Sequence, residues 1–219
     1  MKVIVTGVTG MVGEGVMHEC LLDSSIEEVL VVGRRPSGFS HPKLKELVAP
    51  DMFDLSAIES NLSGYDACYF CLGVSSIGMS EEDYRHITYD LTMNFAKTLL
   101  SRNPAMSFCY VSGKSTDGSE NGKLMWARVK GKTENDLIKL GFKQAFAFRP
   151  GIMEPTLGLK NTLKGYKFLS WLIPILRVIY PSGISTLAAV GRAMINVTRH
   201  GYPKQVMEVA DIKAAASNE

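Results

Sequence analysis

A run of β-branched residues, "KVIVT", breaks at residue 7 into "GVTGMVG" and passes straight into "EGVMHECLL". No other stretch limits the possible folds so tightly. The first run has the make-up of a buried strand. The last places Val12, Val16 and Cys20 at four-residue spacing, one stripe of a helix from about Gly10 to Leu22. Three glycines between them divide the work of the junction. Gly7 permits a tight turn, Gly10 lets backbone approach a pyrophosphate, and Gly13 lets the helix pack closely on the strand. The spacing is GxxGxxG, not GxGxxG, and no GK[ST] follows, which excludes a P-loop. In its strand-loop-helix setting the motif points to a bound dinucleotide in preference to a plain turn.

The alternation continues down the chain. "EEVLVVGR", "LKELVA", "DACYFCLG", "MSFCYVSG" and "KQAFAFRPG" read as strands, with helices predicted from about Glu81 to Ser101 and from about Lys123 to Leu140. Strands separated by helices imply a parallel sheet covered on both faces: a Rossmann-like, doubly wound α/β fold. After Gly151 the rhythm lapses through "IMEPTLGLKNTLKGYKFLSWLIPILRVIYPSG". A helix follows, with Ser185 or Thr186 as N-cap and Gly201 as its stop, then a short strand "QVMEV" and a polar tail. Ligands of open α/β sheets sit at the carboxyl ends of the strands. Residues 152–200 are therefore expected to form a small, partly helical C-terminal cap over a substrate pocket, within one domain spanning 1–219.

Composition narrows the partners. In 219 residues, 24 lysines and arginines face 22 acids, so there is no broad basic field for nucleic acid, and attraction to phosphate must be local. "MKVIVTGVTG" lacks the apolar core and cleavage site of a signal peptide, and the reading is a cytoplasmic protein with a small-molecule substrate. Cys68 and Cys71 form a CxxC, but on a strand positions i and i+3 face opposite sides, which favours buried strand cysteines over a redox or zinc pair. His18, His41, His86 and His200 are scattered, and no metal is expected. The apolar element at 166–180 is too short to span a membrane, and Pro174 and Arg177 interrupt it. A pocket lid, or a face for a second copy or protein partner, is the preferred reading over membrane-surface contact.

The second strand ends "VVGRRP", where an NAD-selective protein usually places an acid. Arg34 and Arg35 suit a 2′-phosphate instead, which favours NADP(H) over NAD(H); the plain alternative is two solvated arginines. Taken together, "TGVTGMVG", "VVGRR", "CLG", "YVSG", "WARVKGKTE" and "FRPG" occur in the order found in the short-chain dehydrogenase/reductase superfamily, over roughly residues 1–155. The chain resembles its extended or atypical, nucleoside-diphosphate-sugar epimerase-like branch. Within that branch "VKGKTE" and "PILRVIYP" are similar to small members related to the human Tat-interacting protein and to NmrA-like regulators.

The resemblance implies a cofactor surface of Gly7, Thr9, Gly10, Met11, Val12 and Gly13, continued by Arg34, Arg35, Asp54, Leu55, Cys71, Leu72, Gly73, Lys130 and Pro150. Asp54 has two even readings, adenine contact or cap of the next short helix. The family chemistry needs a phenol as acid/base, a lysine four residues on, and a serine that orients the substrate carbonyl. Lys130 matches the lysine and Ser112 aligns with the serine, though Ser112 equally reads as a loop cap. Trp126 stands at the tyrosine position, either as a packing aromatic or as a pocket wall, and an indole N–H does not ionise usefully in water. Two functions follow. One is an NADP(H)-dependent oxidoreductase or epimerase-like enzyme with an unconventional proton source; the other is a non-catalytic NADP(H) sensor that signals to a partner.

Overall fold

The structure, a computed structural model, describes residues 1–162 and 179–217. Its strands are β1 (Lys2–Thr6), β2 (Glu28–Gly33), β3 (Leu44–Val48), β4 (Ala67–Phe70), β5 (Ser107–Val111), β6 (Gln144–Phe148), β7 (Ile152–Glu154), β8 (Ile184–Thr186) and β9 (Val206–Met207). Seven form one sheet in the order β3-β2-β1-β4-β5-β6-β9, every neighbouring pair parallel. β7 and β8 make a separate parallel pair. The chain steps outward from β1 to β3, then returns to the far side of β1 as β4. The crossovers diverge there and leave a crevice above the carboxyl ends of β1 and β4.

Both faces of the sheet are buried, and strand periodicity sorts the side chains between them. Val3, Val5, Ala67 and Tyr69 enter one core, and Ile4, Cys68 and Phe70 enter the other. The first core is covered by α1 (Met11–Leu22), α5 (Leu187–His200) and α6 (Val209–Ser217), the second by α3 (Leu91–Arg102) and α4 (Met125–Lys139). Val16 and Cys20 of the predicted α1 stripe are buried, and Val12 packs against them half-buried.

Three elements differ from the sequence reading. The helix expected from Glu81 to Ser101 is α2 (Glu81–Arg85) joined to α3 through a π-helical turn, His86–Asp90. The polar tail is α6, held by buried Val209, Ile212 and Ala215. Of the proposed cap, the helix is α5, with Thr186 accepting from the Ala189 N–H at 3.0 Å and Gly201 ending it at φ +74°. It lies on α1 instead of over the crevice. Val190, Met194, Ile195 and Val197 are all within 1% of full burial, worth about 2 kcal/mol each, in the core shared with α1, α6 and the sheet. Gly15 and Gly191 set how closely it approaches: a Cβ on Gly15 would sit 2.8 Å from the Leu187 Cβ, and one on Gly191 2.7 Å from the Glu19 Cβ. Of the residues that precede this helix, Met153 packs against the first core and Ile184 is buried. The apolar element at 166–180 lies outside the described residues except for Ile179 and Tyr180, both exposed.

Candidate functional site

The glycine loop sits over the switch point between β1 and β4. Gly7 adopts φ +73°, and a Cβ there would lie 2.6 Å from the Cys71 carbonyl oxygen, so the loop rests directly on the chain leaving β4. Thr6 reinforces the contact by accepting the Cys71 N–H at 3.1 Å. A Cβ on Gly13 would fall inside contact distance of the Gly7 carbonyl and 2.8 Å from the Val8 nitrogen. The helix therefore closes on its own loop, not on the strand as the sequence reading had it. Gly10 N-caps α1 without a side-chain bond and donates its N–H to Gly7 O at 2.9 Å. Thr9 and Gly10 are exposed, and Met11 and Val12 are half-buried. First-turn N–H groups with no intrahelical carbonyl, at the positive end of a helix, make a seat for an anion.

The remaining predicted cofactor residues ring this loop. Arg34 and Arg35 are exposed just past β2, and among the described residues neither guanidinium has a carboxylate partner. Asp54 accepts the Ser56 N–H at 3.0 Å, and its bonds to Ser56 hold its carboxyl below the usual range. It closes that turn, while Ile58 is the N-cap of the following 3-10 helix. Leu55 is buried in the second core and Leu72, half-buried, packs against it. Cys71 packs against the first core while Cys68 lies in the second, on opposite faces; burial pushes the Cys71 thiol up to about 12. Among the described residues no group of His, Cys, Asp or Glu is arranged to hold a metal ion. Gly73 has open space around it, and Pro150, buried, accepts the Lys114 N–H at 3.2 Å.

The end of β5 and the face of α4 form the other wall. Lys130 is half-buried and donates to the Ser112 carbonyl at 2.7 Å. Burial lowers its pKa to about 8, against the opposing pull of Glu134. Trp126, one turn earlier, is half-buried in the first turn of α4. The Ser112 hydroxyl is turned inward: it is buried, contacts Glu134 Oε1 and lies 3.1 Å from Phe148 O. Three other phenols are engaged elsewhere. Tyr84 and Tyr110 are buried, which raises both, and Tyr89 donates to Asp136 at 2.7 Å. Lys114 contacts the Tyr180 hydroxyl and lies 4.2 Å from the centroid of that ring.

Glu134 and Arg149 were not singled out as a pair by the sequence reading. Glu134 is buried, and Arg149 grips it in bidentate fashion, Nε to Oε1 at 3.0 Å and Nη2 to Oε2 at 2.5 Å, with Glu208 Oε1 at 3.1 Å from Nη1. These bonds raise the Arg149 guanidinium further. The i,i+4 spacing of Lys130 and Glu134 looks like an ordinary surface pair on a helix. Only β6 beside α4 shows that the carboxylate faces inward to the arginine of "FRPG".

Comparison with known proteins agrees with this geometry. The NAD dependent epimerase/dehydratase family matches residues 3–125. "Protein FMP52, mitochondrial" of Candida albicans is 26% identical over 200 residues, 86% of each chain. "Protein FMP52-1, mitochondrial" of Scheffersomyces stipitis is 25% identical over 93% of this chain and 91% of its own. Among solved structures, the DesIV double mutant (dTDP-glucose 4,6-dehydratase) of Streptomyces venezuelae with NAD and DAU bound superposes with a TM-score of 0.68. It is 14% identical, and the match covers 95% of this chain and 75% of that one. The mitochondrial names overturn the cytoplasmic expectation. That expectation rested on the lack of a secretory signal, and the same layered domain packs equally well in either compartment.

Proposed function

This chain belongs to the NAD dependent epimerase/dehydratase family, and on that premise we propose that it binds NADP(H) above β1 and β4 and acts as an oxidoreductase or epimerase-like enzyme on a small carbonyl or sugar-derived substrate. The observation that carries the reading is the steric cradle at the glycine loop. Gly7 and Gly13 have no room for a Cβ, while one at Gly10 would meet only the Gly7 oxygen at 3.4 Å, at a helix N-terminus with no side-chain cap. A pyrophosphate fits that cradle. Arg34 and Arg35, exposed and without carboxylate partners among the described residues, support selection of the 2′-phosphate. Relatives named mitochondrial support a mitochondrial location, tested by fractionating cells that express the tagged chain.

The bound cofactor would supply the hydride. Lys130, anchored on the Ser112 carbonyl, has two further N–H groups for the ribose hydroxyls. Trp126, read as standing where relatives carry the catalytic tyrosine, offers a hydrogen-bond donor but no exchangeable acid. Lys130, whose pKa is lowered by burial to about 8, then supplies an exchangeable proton on this wall.

A second reading, a non-catalytic NADP(H) sensor, has its own support. The Ser112 hydroxyl is committed to Glu134, and Tyr84, Tyr89 and Tyr110 are buried or bonded away from the crevice. Titration with NADPH, NADP⁺, NADH and NAD⁺ tests both readings at once, and failure to bind any of the four sinks both. Turnover of a panel of aldehydes and ketones by protein that binds NADPH separates the enzyme from the sensor.

A further inference from the structure

After β7 the chain comes back to the glycine loop. Glu14, in the first turn of α1, is buried, and its two oxygens accept the backbone N–H groups of Lys160 at 2.7 Å and Asn161 at 2.6 Å. The Asn161 amide donates to Val8 O at 3.3 Å, inside the glycine loop itself. A buried carboxylate is costly without donors, so Glu14 is satisfied only while this remote segment is seated on it.

The Lys160 side chain runs toward a different loop. Its ammonium lies 4.8 Å from the centroid of the Phe39 ring, four residues past Arg35. The Lys160 side chain is exposed, as are Arg34 and Arg35, and among the described residues none of the three has a carboxylate partner. The acid across this loop, Glu46 on β3, is engaged with the Ser37 N–H at 2.9 Å. Two adjacent residues thus tie the loop that would hold the pyrophosphate to the loop that begins with the two arginines.

We infer that Lys160 is a third cation of the adenosine 2′-phosphate site and thereby a determinant of cofactor selectivity, with Glu14 as the positioning residue that brings it there. The inference rests on the NADP(H) reading proposed above. Adenosine carries no charge at its 2′ hydroxyl, so a cation at this place favours the phosphorylated nucleotide and leaves the other unaffected.

The test is calorimetric titration of the full chain with 2′,5′-ADP and with 5′-AMP, which differ only in the 2′-phosphate, repeated with NADPH and NADH. Wild type should prefer the 2′-phosphorylated member of each pair. Lys160→Ala should cut that preference about fivefold, the size of one exposed ion pair, with 5′-AMP binding unchanged. Lys160→Arg should restore it. Glu14→Gln should lower it as well, because the amide presents a donor where two N–H groups need acceptors. An unchanged preference in Lys160→Ala, whose exposed side chain the fold does not need, overturns the inference alone. Absence of any nucleotide binding by wild type overturns the cofactor reading with it.

Discussion

Gly10 and Gly13 separate what the glycine loop does for the fold from what it does for a ligand. Alanine within a helix should stabilise by up to about 1 kcal/mol relative to glycine, and Gly13 lies in the first turn of α1. At position 13 that gain is outweighed. The new methyl would lie inside contact distance of the Gly7 carbonyl and 2.8 Å from the Val8 nitrogen, where carbon atoms ordinarily keep about 3.5 Å. All of these neighbours are backbone, so the loop must move by about 1 Å, and overpacking of this kind costs about 3 kcal/mol. Gly13→Ala should therefore lose about 2 kcal/mol net, a fall in Tm of about 4–8 °C for a domain of this size. Gly10 has φ −108°, and its Cβ would meet only Gly7 O at 3.4 Å, so Gly10→Ala should melt within about 2 °C of wild type. That methyl points into the proposed pyrophosphate seat, and NADPH affinity should drop at least about tenfold. Thermal melts with and without NADPH read both effects. At about a hundredfold excess over Kd the cofactor should add about 2.7 kcal/mol to wild type and much less to Gly10→Ala. A Gly13→Ala protein as stable as wild type, or a Gly10→Ala protein that binds NADPH normally, would refute the reasoning.

Other consequences follow from single contacts. Arg34→Asp should lower the NADPH-to-NADH affinity ratio by at least about tenfold, read by titration; an unchanged ratio removes the selectivity argument. Glu134→Gln breaks a buried bidentate ion pair with Arg149 and should cost about 3 kcal/mol by denaturant unfolding, whereas loss of less than about 1 kcal/mol would mean the pair is dispensable. Lys130 binds its proton less tightly folded than unfolded, so its unfavourable charge is fully felt below about pH 8 and is relieved as pH rises from about 8 to its unfolded value. Wild type should accordingly gain roughly 1–2 kcal/mol relative to Lys130→Met across that range, after allowance for its partial exposure; parallel stability curves would contradict the lowered value. Trp126→Tyr should create or raise turnover of a carbonyl substrate if only the phenol is missing, measured by NADPH oxidation.

The layered fold was legible because its signals are local. Alternating β-branched strands with amphipathic helices dictates a parallel sheet, and a glycine triplet between the first pair dictates a tight, anion-facing junction. Placing Lys130 one turn after Trp126 also needed only helical spacing. What escaped the sequence is long-range. Nothing in the local sequence marks Glu14 or Glu134, and each is buried because a segment far along the chain brings donors to it: the backbone of Lys160 and Asn161 in one case, Arg149 in the other. The Ser112 hydroxyl could be assigned to an aligned position but not to a direction, since its partner lies on another element. The helix at 187–200 looked like part of a cap because nothing in its own residues says which surface its apolar face will meet. Spacing along one element determines which residues share a face. Which face meets which is decided by the burial and hydrogen bonding of the whole chain, and for this protein that decision set the acids of the site.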